Sequence, residues 1–258
     1  MSNDQPEVAI DRRIALLIDA DNISHNKIAE IIAELSKYGT ANIRRAYGDW
    51  SSPQMNGWRD KLHEFAIRPI QQFSYSSGKN ATDIALVIEA MELLYTQKLD
   101  AFCIASSDGD FTPLVLQLKA NGHEVYGFGE TKTPKPFVSA CTNFLYLNAL
   151  ETELRSSKKP EVAINVQPEP STKLDGDLIT ALKGGVAASM KDDGWAPLST
   201  AVTAVKRQGP FDPRNYGFRN FKSLFEATGL FEIYTASGGQ AYAAYRENED
   251  KAAKPSIK

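Results

Sequence analysis

Residues 14–22 read IALLIDADN, five apolar side chains without a break and then Asp19, Ala20, Asp21 and Asn22. An apolar run with no polar alternation is the pattern of a strand covered by helices on both faces. Residues 101–110, AFCIASSDGD, take the same form, and their apolar run ends in Ser106, Ser107, Asp108 and Asp110. Around these two strands the pattern predicts a helix through Ile28, Ile31, Ile32 and Leu35, a strand over 42–47, a helix over 55–65 and a strand over 67–73. A strong helix follows over 82–94, with Ile84, Val87, Ile88, Met91 and Leu94 on its apolar face and Asp83 in its first turn. A helix over 111–120 and strands over 124–128 and 144–147 complete the series. Strands alternating with helices imply an α/β fold, a Rossmann-like, mostly parallel sheet with helices on both faces.

The chain has 258 residues, 42% hydrophobic and 24% charged, which is a globular composition with room for two modest domains. Lys and Arg number 29 against 32 Asp and Glu, so no chain-wide basic coat exists and a polyanionic partner must meet a local patch. Two cysteines and three unspaced histidines exclude a disulfide scaffold and argue against a zinc site. There is no signal-peptide core and no apolar run of about 18 residues, so a soluble cytoplasmic protein is expected. Residues 12–148 read as the first domain, and the proline- and charge-rich stretch 149–172 as a linker. A second domain follows over 173–246, and the polar residues 247–258 read as a disordered tail. Residues 1–150 hold 14 basic and 18 acidic side chains, whereas residues 173–246 hold 9 and 7, so the second domain is the mildly basic one.

In open α/β sheets, sites form outside the C-terminal ends of the strands. Asp19 and Asp21 stand at one such end, Asp108 and Asp110 at another, and Asp83 opens a helix that follows a third strand. Each acid also has an ordinary reading: Asp83 complements a helix dipole, Asp110 caps a helix, and Asp21 makes a turn with Asn22. Together they would repel one another, and a Mg²⁺ or Mn²⁺ ion relieves that repulsion with hard oxygen ligands. Such an ion suits phosphate-ester hydrolysis. Asn22, Ser106 and Ser107 offer further oxygens at the same edge, and Lys79, just before the helix of Asp83, is placed to meet a phosphate.

The strings IDADN (18–22), NATDIALVIEA (80–90) and ASSDGDFTPLVLQLKANGHEVYGFG (105–129) resemble NYN domains of the PIN-like nuclease superfamily. The resemblance implies a Rossmann-like sheet that gathers acids around Mg²⁺ or Mn²⁺ and cuts RNA. It implies Asp19, Asp83, Asp108 and Asp110 as catalytic and metal-binding residues, with Asn22 at a polar position near the metal. Family members without demonstrated nuclease activity leave a second reading, a non-catalytic RNA-binding or adaptor protein. A third is a haloacid-dehalogenase-like phosphatase, because Asp19-Ala20-Asp21 has that Asp-x-Asp spacing. Against it, Ile23 stands two residues after Asp21, near where Thr or Val is expected, and no cap insertion is visible.

Residues 174–246 read as three helices and a hairpin around Ser237-Gly238-Gly239, a small α+β winged helix-turn-helix domain. The stretch 195–233 resembles the OST-HTH or LOTUS domain, with Tyr216-Gly217-Phe218 expected to open the third helix. That resemblance implies binding of RNA, taken as single-stranded, or of a protein partner. NYN followed by LOTUS is a recurring pairing. The residues expected to meet RNA are Lys206, Arg207, Arg214, Arg219 and Lys222 on phosphates and Tyr216 on a base; their ordinary reading is solvated surface charge and a Tyr216 that caps the core. The sequence does not reveal whether the chain forms a homo-oligomer.

Overall fold

The computed structural model describes residues 12–73, 80–150, 174–248 and 250–256. The chain divides into two compact units. In chain order the first elements are β1 (Arg13–Asp19), α1 (Ile28–Leu35), β2 (Thr40–Gly48), α2 (Trp58–Glu64), β3 (Arg68–Gln71) and α3 (Ala81–Thr96). They continue as β4 (Ala101–Ala105), α4 (Thr112–Ala120), β5 (Glu124–Gly129), α5 (Lys135–Ala140) and β6 (Asn143–Tyr146).

The six strands form one sheet in the order β3-β2-β1-β4-β5-β6. The pairs β1–β2, β1–β4, β2–β3 and β4–β5 are all parallel. The two apolar runs therefore lie side by side at its centre, with Ile14 opposite Ala101 and Ile18 opposite Ala105. Every residue of both runs is fully buried. The chain builds outward from β1 to β3 on one side and then crosses back through α3 to start the other side at β4. The sheet thus changes direction between β1 and β4, where a crevice opens beyond the strand ends.

α3 packs against β1 and β2, but not through the face that its apolar spacing suggests. Thr82, Leu86, Ala90, Leu93 and Leu94 are buried, whereas Ile84 and Ile88 are 59% and 61% exposed. The helix carries apolar residues on two sides. The smaller residues Thr82 and Ala90 are on the side that meets the sheet, so the bulk of Ile84 and Ile88 is left outside. Glu89 then ties the helix to β2, accepting hydrogen bonds from Tyr47 Oη (2.8 Å) and Arg45 Nη1 (2.5 Å). The sequence pattern also misses α5, which has six residues with Pro136 in its first turn.

The second unit contains α6 (Gly176–Ala187), β7 (Ala196–Pro197), α7 (Leu198–Gln208), α8 (Phe221–Ala227), β8 (Phe231–Thr235) and β9 (Ala241–Tyr245). Its strands form an antiparallel sheet in the order β7-β9-β8, which adds the two-residue β7 to the expected hairpin. Asp175 caps α6, accepting from Leu178 N at 2.8 Å, and Asn220 and Ser223 form a capping box on α8. Leu178, Leu182, Val186, Val205, Leu224, Phe225 and Phe231 make the core.

The tail expected to be disordered is held in part. Trp195 Nε1 donates to Ala252 O (2.8 Å), and Ser256 N donates to Asp193 Oδ2 (2.6 Å). A buried indole N–H needs an acceptor, and the backbone of the tail supplies it. Beyond residue 150, the linker expected over 149–172 lies outside the described residues.

Gly185 lets α6 approach α7. A Cβ there would lie 2.5 Å from Val205 Cγ2 and 2.7 Å from Ala201 O. At neighbouring Gly184 it would meet only the end of the Gln208 side chain, at 3.0 Å. Gly185→Ala should therefore lower the stability of the second unit by about 1–3 kcal/mol through overpacking. Gly184→Ala should be neutral or stabilise by up to about 1 kcal/mol through helix propensity. Urea unfolding of the two variants checks the contrast.

Candidate active site

β1 ends in Asp19, which is fully buried. The chain turns at once, with Ile23 N donating to Asp19 O at 2.9 Å, so that Asn22 doubles back over the strand end. Asn22 Nδ2 donates to Asp19 Oδ2 at 2.7 Å, and Ser106 Oγ donates to the same oxygen at 2.6 Å. Among the described residues Asp19 Oδ1 accepts one long bond, from Asn22 N at 3.3 Å, and keeps capacity for another partner. Burial pushes the Asp19 carboxyl up, and the bonds from Ser106 and Asn22 pull it back in part.

Ser106 continues β4 and is buried. Its hydroxyl accepts from Asp108 N at 3.0 Å while donating to Asp19, so one oxygen joins the ends of the two central strands. Asp108 caps the turn 109–111, accepting from Asp110 N at 2.9 Å, and Asp110 is exposed. Ser107 serves a different purpose from the one its neighbours suggest: its Oγ accepts from Glu130 N at 2.8 Å and fastens the end of β5.

Asp83 reaches the same edge from the first turn of α3. Its carboxyl is pushed up to about 6, first by burial and then by the negative charges of Asp19, Asp108, Asp21 and Asp110. The structure thus brings all four expected acids within electrostatic range and adds Asp21. The signal for Asp21 was its spacing from Asp19 in the sequence. A Cβ on Gly48 would lie 3.4 Å from Asp21 Oδ1, so this acid sits over the end of β2. Lys79 lies outside the described residues.

The donor set is carboxylate, amide and hydroxyl oxygen, which fits a hard divalent cation. Among the described residues no group of three or more His, Cys, Asp or Glu side chains is poised to hold a metal ion as it stands. The mutual repulsion felt at Asp83 is what a cation would relieve.

On the second unit, Lys206, Arg207 and Arg219 are exposed. Lys206 lies 5.8 Å from the Phe221 ring centre, and Lys222 Nζ donates to Thr235 Oγ1 at 3.0 Å. Arg214 is not the free arm expected. Its Nε and Nη2 grip Asp212 at 2.9 and 2.8 Å in a largely buried fork. Tyr216 is half-buried against the core, and burial pushes its phenol up. Nor does Tyr216-Gly217-Phe218 open a helix: Tyr216 ends the turn 213–216, Gly217 follows at φ +82°, and α8 begins at Phe221.

A carboxyl titrating near pH 6 when folded and near 3.8 when unfolded favours the fold below pH 3.8. That contribution is lost as pH rises through 6. Asp83→Asn in EDTA should therefore gain stability at pH 7.5 relative to the parent and flatten the fall between pH 4 and 7. The gain should be about 1 kcal/mol, because solvent screens this half-exposed group. Thermal melts across that pH range are the measurement.

The NYN domain family profile matches residues 13–148, and the OST-HTH/LOTUS domain profile matches residues 169–242. An uncharacterized protein of Methanocaldococcus jannaschii is 31% identical over 127 residues, which are 46% of this chain and 48% of that protein. The chain thus matches about half the length of that relative. A solved structure of a Vibrio parahaemolyticus protein of unknown function aligns with 57% of this chain and 96% of its own, at 17% identity and a TM-score of 0.45. An uncharacterized Nitrosomonas europaea protein aligns with 35% of this chain and 90% of its own, at 22% identity and a TM-score of 0.28. With more than half of its length matched by the profile, this chain belongs to the NYN domain family and carries an OST-HTH/LOTUS domain after it.

Proposed function

We propose that the chain is a metal-dependent ribonuclease whose first unit hydrolyses RNA phosphodiester bonds and whose second unit recruits the RNA. The observation that supports this most is the electrostatic convergence of Asp19, Asp21, Asp108 and Asp110 on Asp83, beyond the strand ends where the sheet changes direction. Asp19, Asp83, Asp108 and Asp110 would hold Mg²⁺ or Mn²⁺, which when bound acidifies water and offsets phosphate charge. Ser106 and Asn22 hold the Asp19 carboxylate in one orientation and favour its charged form. The family match displaces the phosphatase reading.

The full chain should cleave labelled single-stranded RNA in Mg²⁺ or Mn²⁺ and not in EDTA. Asp19→Asn should abolish the cleavage, and Ser106→Ala should lower it by about 10- to 100-fold as a loss of support behind a ligand. The ion should also raise the melting temperature of the parent but not of Asp19→Asn. RNA binding without any cleavage in either metal would reduce the chain to a non-catalytic binder.

The first unit is acidic, so binding of the RNA backbone falls to Lys206, Arg207, Arg219 and Lys222. Replacing Arg207 and Arg219 by alanine should weaken RNA binding and flatten the log–log salt slope by about 0.7 for each phosphate no longer neutralised. Arg214→Ala should instead destabilise the second unit by about 3 kcal/mol, because it leaves the buried Asp212 unpaired. Unchanged affinity and slope in the double variant would make this unit a docking module for a protein.

A further inference from the structure

The acidic cluster occupies only the middle of the sheet edge. Beyond the ends of β2 and β3 the edge carries the aromatic residues Trp50 and Phe73 together with Asp49, whose Oδ1 accepts from Gln71 Nε2 at 2.8 Å. Gly48 and Gln71 are register partners at the ends of those strands, and Trp50 and Phe73 each follow two residues later. Both therefore follow the C-terminal ends of neighbouring strands at the same end of the sheet. Asp21 sits over Gly48, so the acids adjoin this corner directly. Two strand spacings, about 10 Å, separate β1 from β3.

Trp50 is held firmly. Its Nε1 donates to Ile70 O at 2.9 Å and its backbone N donates to Gln71 Oε1 at 3.0 Å. Its ring stands at 82° to the buried Trp58, with centroids 6.2 Å apart. Even so, Trp50 is only half-buried, and Phe73 is 56% exposed. A fixed, part-exposed indole and an exposed phenyl after neighbouring strands, next to the acidic cluster, match the chemistry of a base platform. Stacking on aromatic rings is how single-stranded nucleic acid is gripped without reading its sequence.

We propose that Trp50 and Phe73 form a stacking subsite for an unpaired nucleobase flanking the phosphate presented to the acids. This rests on the ribonuclease reading and narrows its substrate to single-stranded polynucleotide. A duplex keeps its bases stacked inside and presents no free face to the platform.

The test uses the full chain in EDTA, where hydrolysis is silent. Two fluorescent 12-nucleotide probes are titrated, an ordinary single-stranded oligoribonucleotide and an abasic strand of the same length. The parent should bind the base-bearing strand more tightly, and Phe73→Ala and Trp50→Leu should each cut that preference by about 5- to 100-fold, the loss expected for one base–aromatic stack. A strand carrying 2-aminopurine should lose fluorescence on the parent and less on Trp50→Leu. Phe73 is exposed, so its alanine variant keeps the test intact should Trp50→Leu fail to fold. An undiminished preference in Phe73→Ala, or equal binding of a duplex by the parent, would overturn the subsite. Base-dependent binding that disappears in Phe73→Ala, with no cleavage in Mg²⁺ or Mn²⁺, would overturn the ribonuclease reading while leaving the platform standing.

Discussion

A carboxylate sits without solvent contact at the end of the central strand, and much of the first unit is arranged around it. Asp19 is tolerable there because Ser106 and Asn22 donate to it, and desolvation still pushes its carboxyl up. An uncompensated buried charge costs more than a fold of this size can spare, so the partners are structural necessities as well as candidate functional groups. Ser106 meets this demand from β4, and with the same oxygen it receives Asp108 N. One hydroxyl thereby couples the end of β1, the end of β4 and the turn that carries the remaining acids.

The crossover through α3 supplies the other half of the site. A right-handed connection from β3 to β4 must pass over the sheet and begin at the strand ends, which places the first turn of α3 at the mouth of the crevice. Asp83 is in that turn. Its position depends on how the helix lies on the sheet, and the bonds to Glu89 from Tyr47 and Arg45 hold that placement six residues further on. None of these three residues announces itself as part of a site. They position a charge, and positioning is a property of the packed molecule.

The second unit shows the same distinction between kinds of charge. Counting its basic residues picks out a mildly positive domain but cannot separate working cations from committed ones. Arg214 is locked to Asp212, whereas Arg207 and Arg219 are exposed. In the sequence the three are equivalent. The difference arises because Asp212 caps the turn that contains Arg214, so the chain itself brings the pair together.

The sequence by itself determined the α/β class, the alternation of the main strands and helices, and the acids that stand at the strand ends. Unbroken apolar runs have few solutions other than strands buried on both faces, and polar residues at their ends must sit at a sheet edge. It also carried the three helices and the hairpin of the second unit, through apolar periodicity and turn residues. Only the tertiary structure decided which side of α3 faces inward. That helix is apolar on two sides, and its packing on the sheet buries Thr82, Leu86, Ala90, Leu93 and Leu94 while leaving Ile84 and Ile88 outside. Likewise, only the fold paired Ser107 with Glu130 and brought Trp50 and Phe73 to the same end of the sheet. These outcomes depend on strand register and on long-range hydrogen bonds, which bring together residues that local patterns treat as independent.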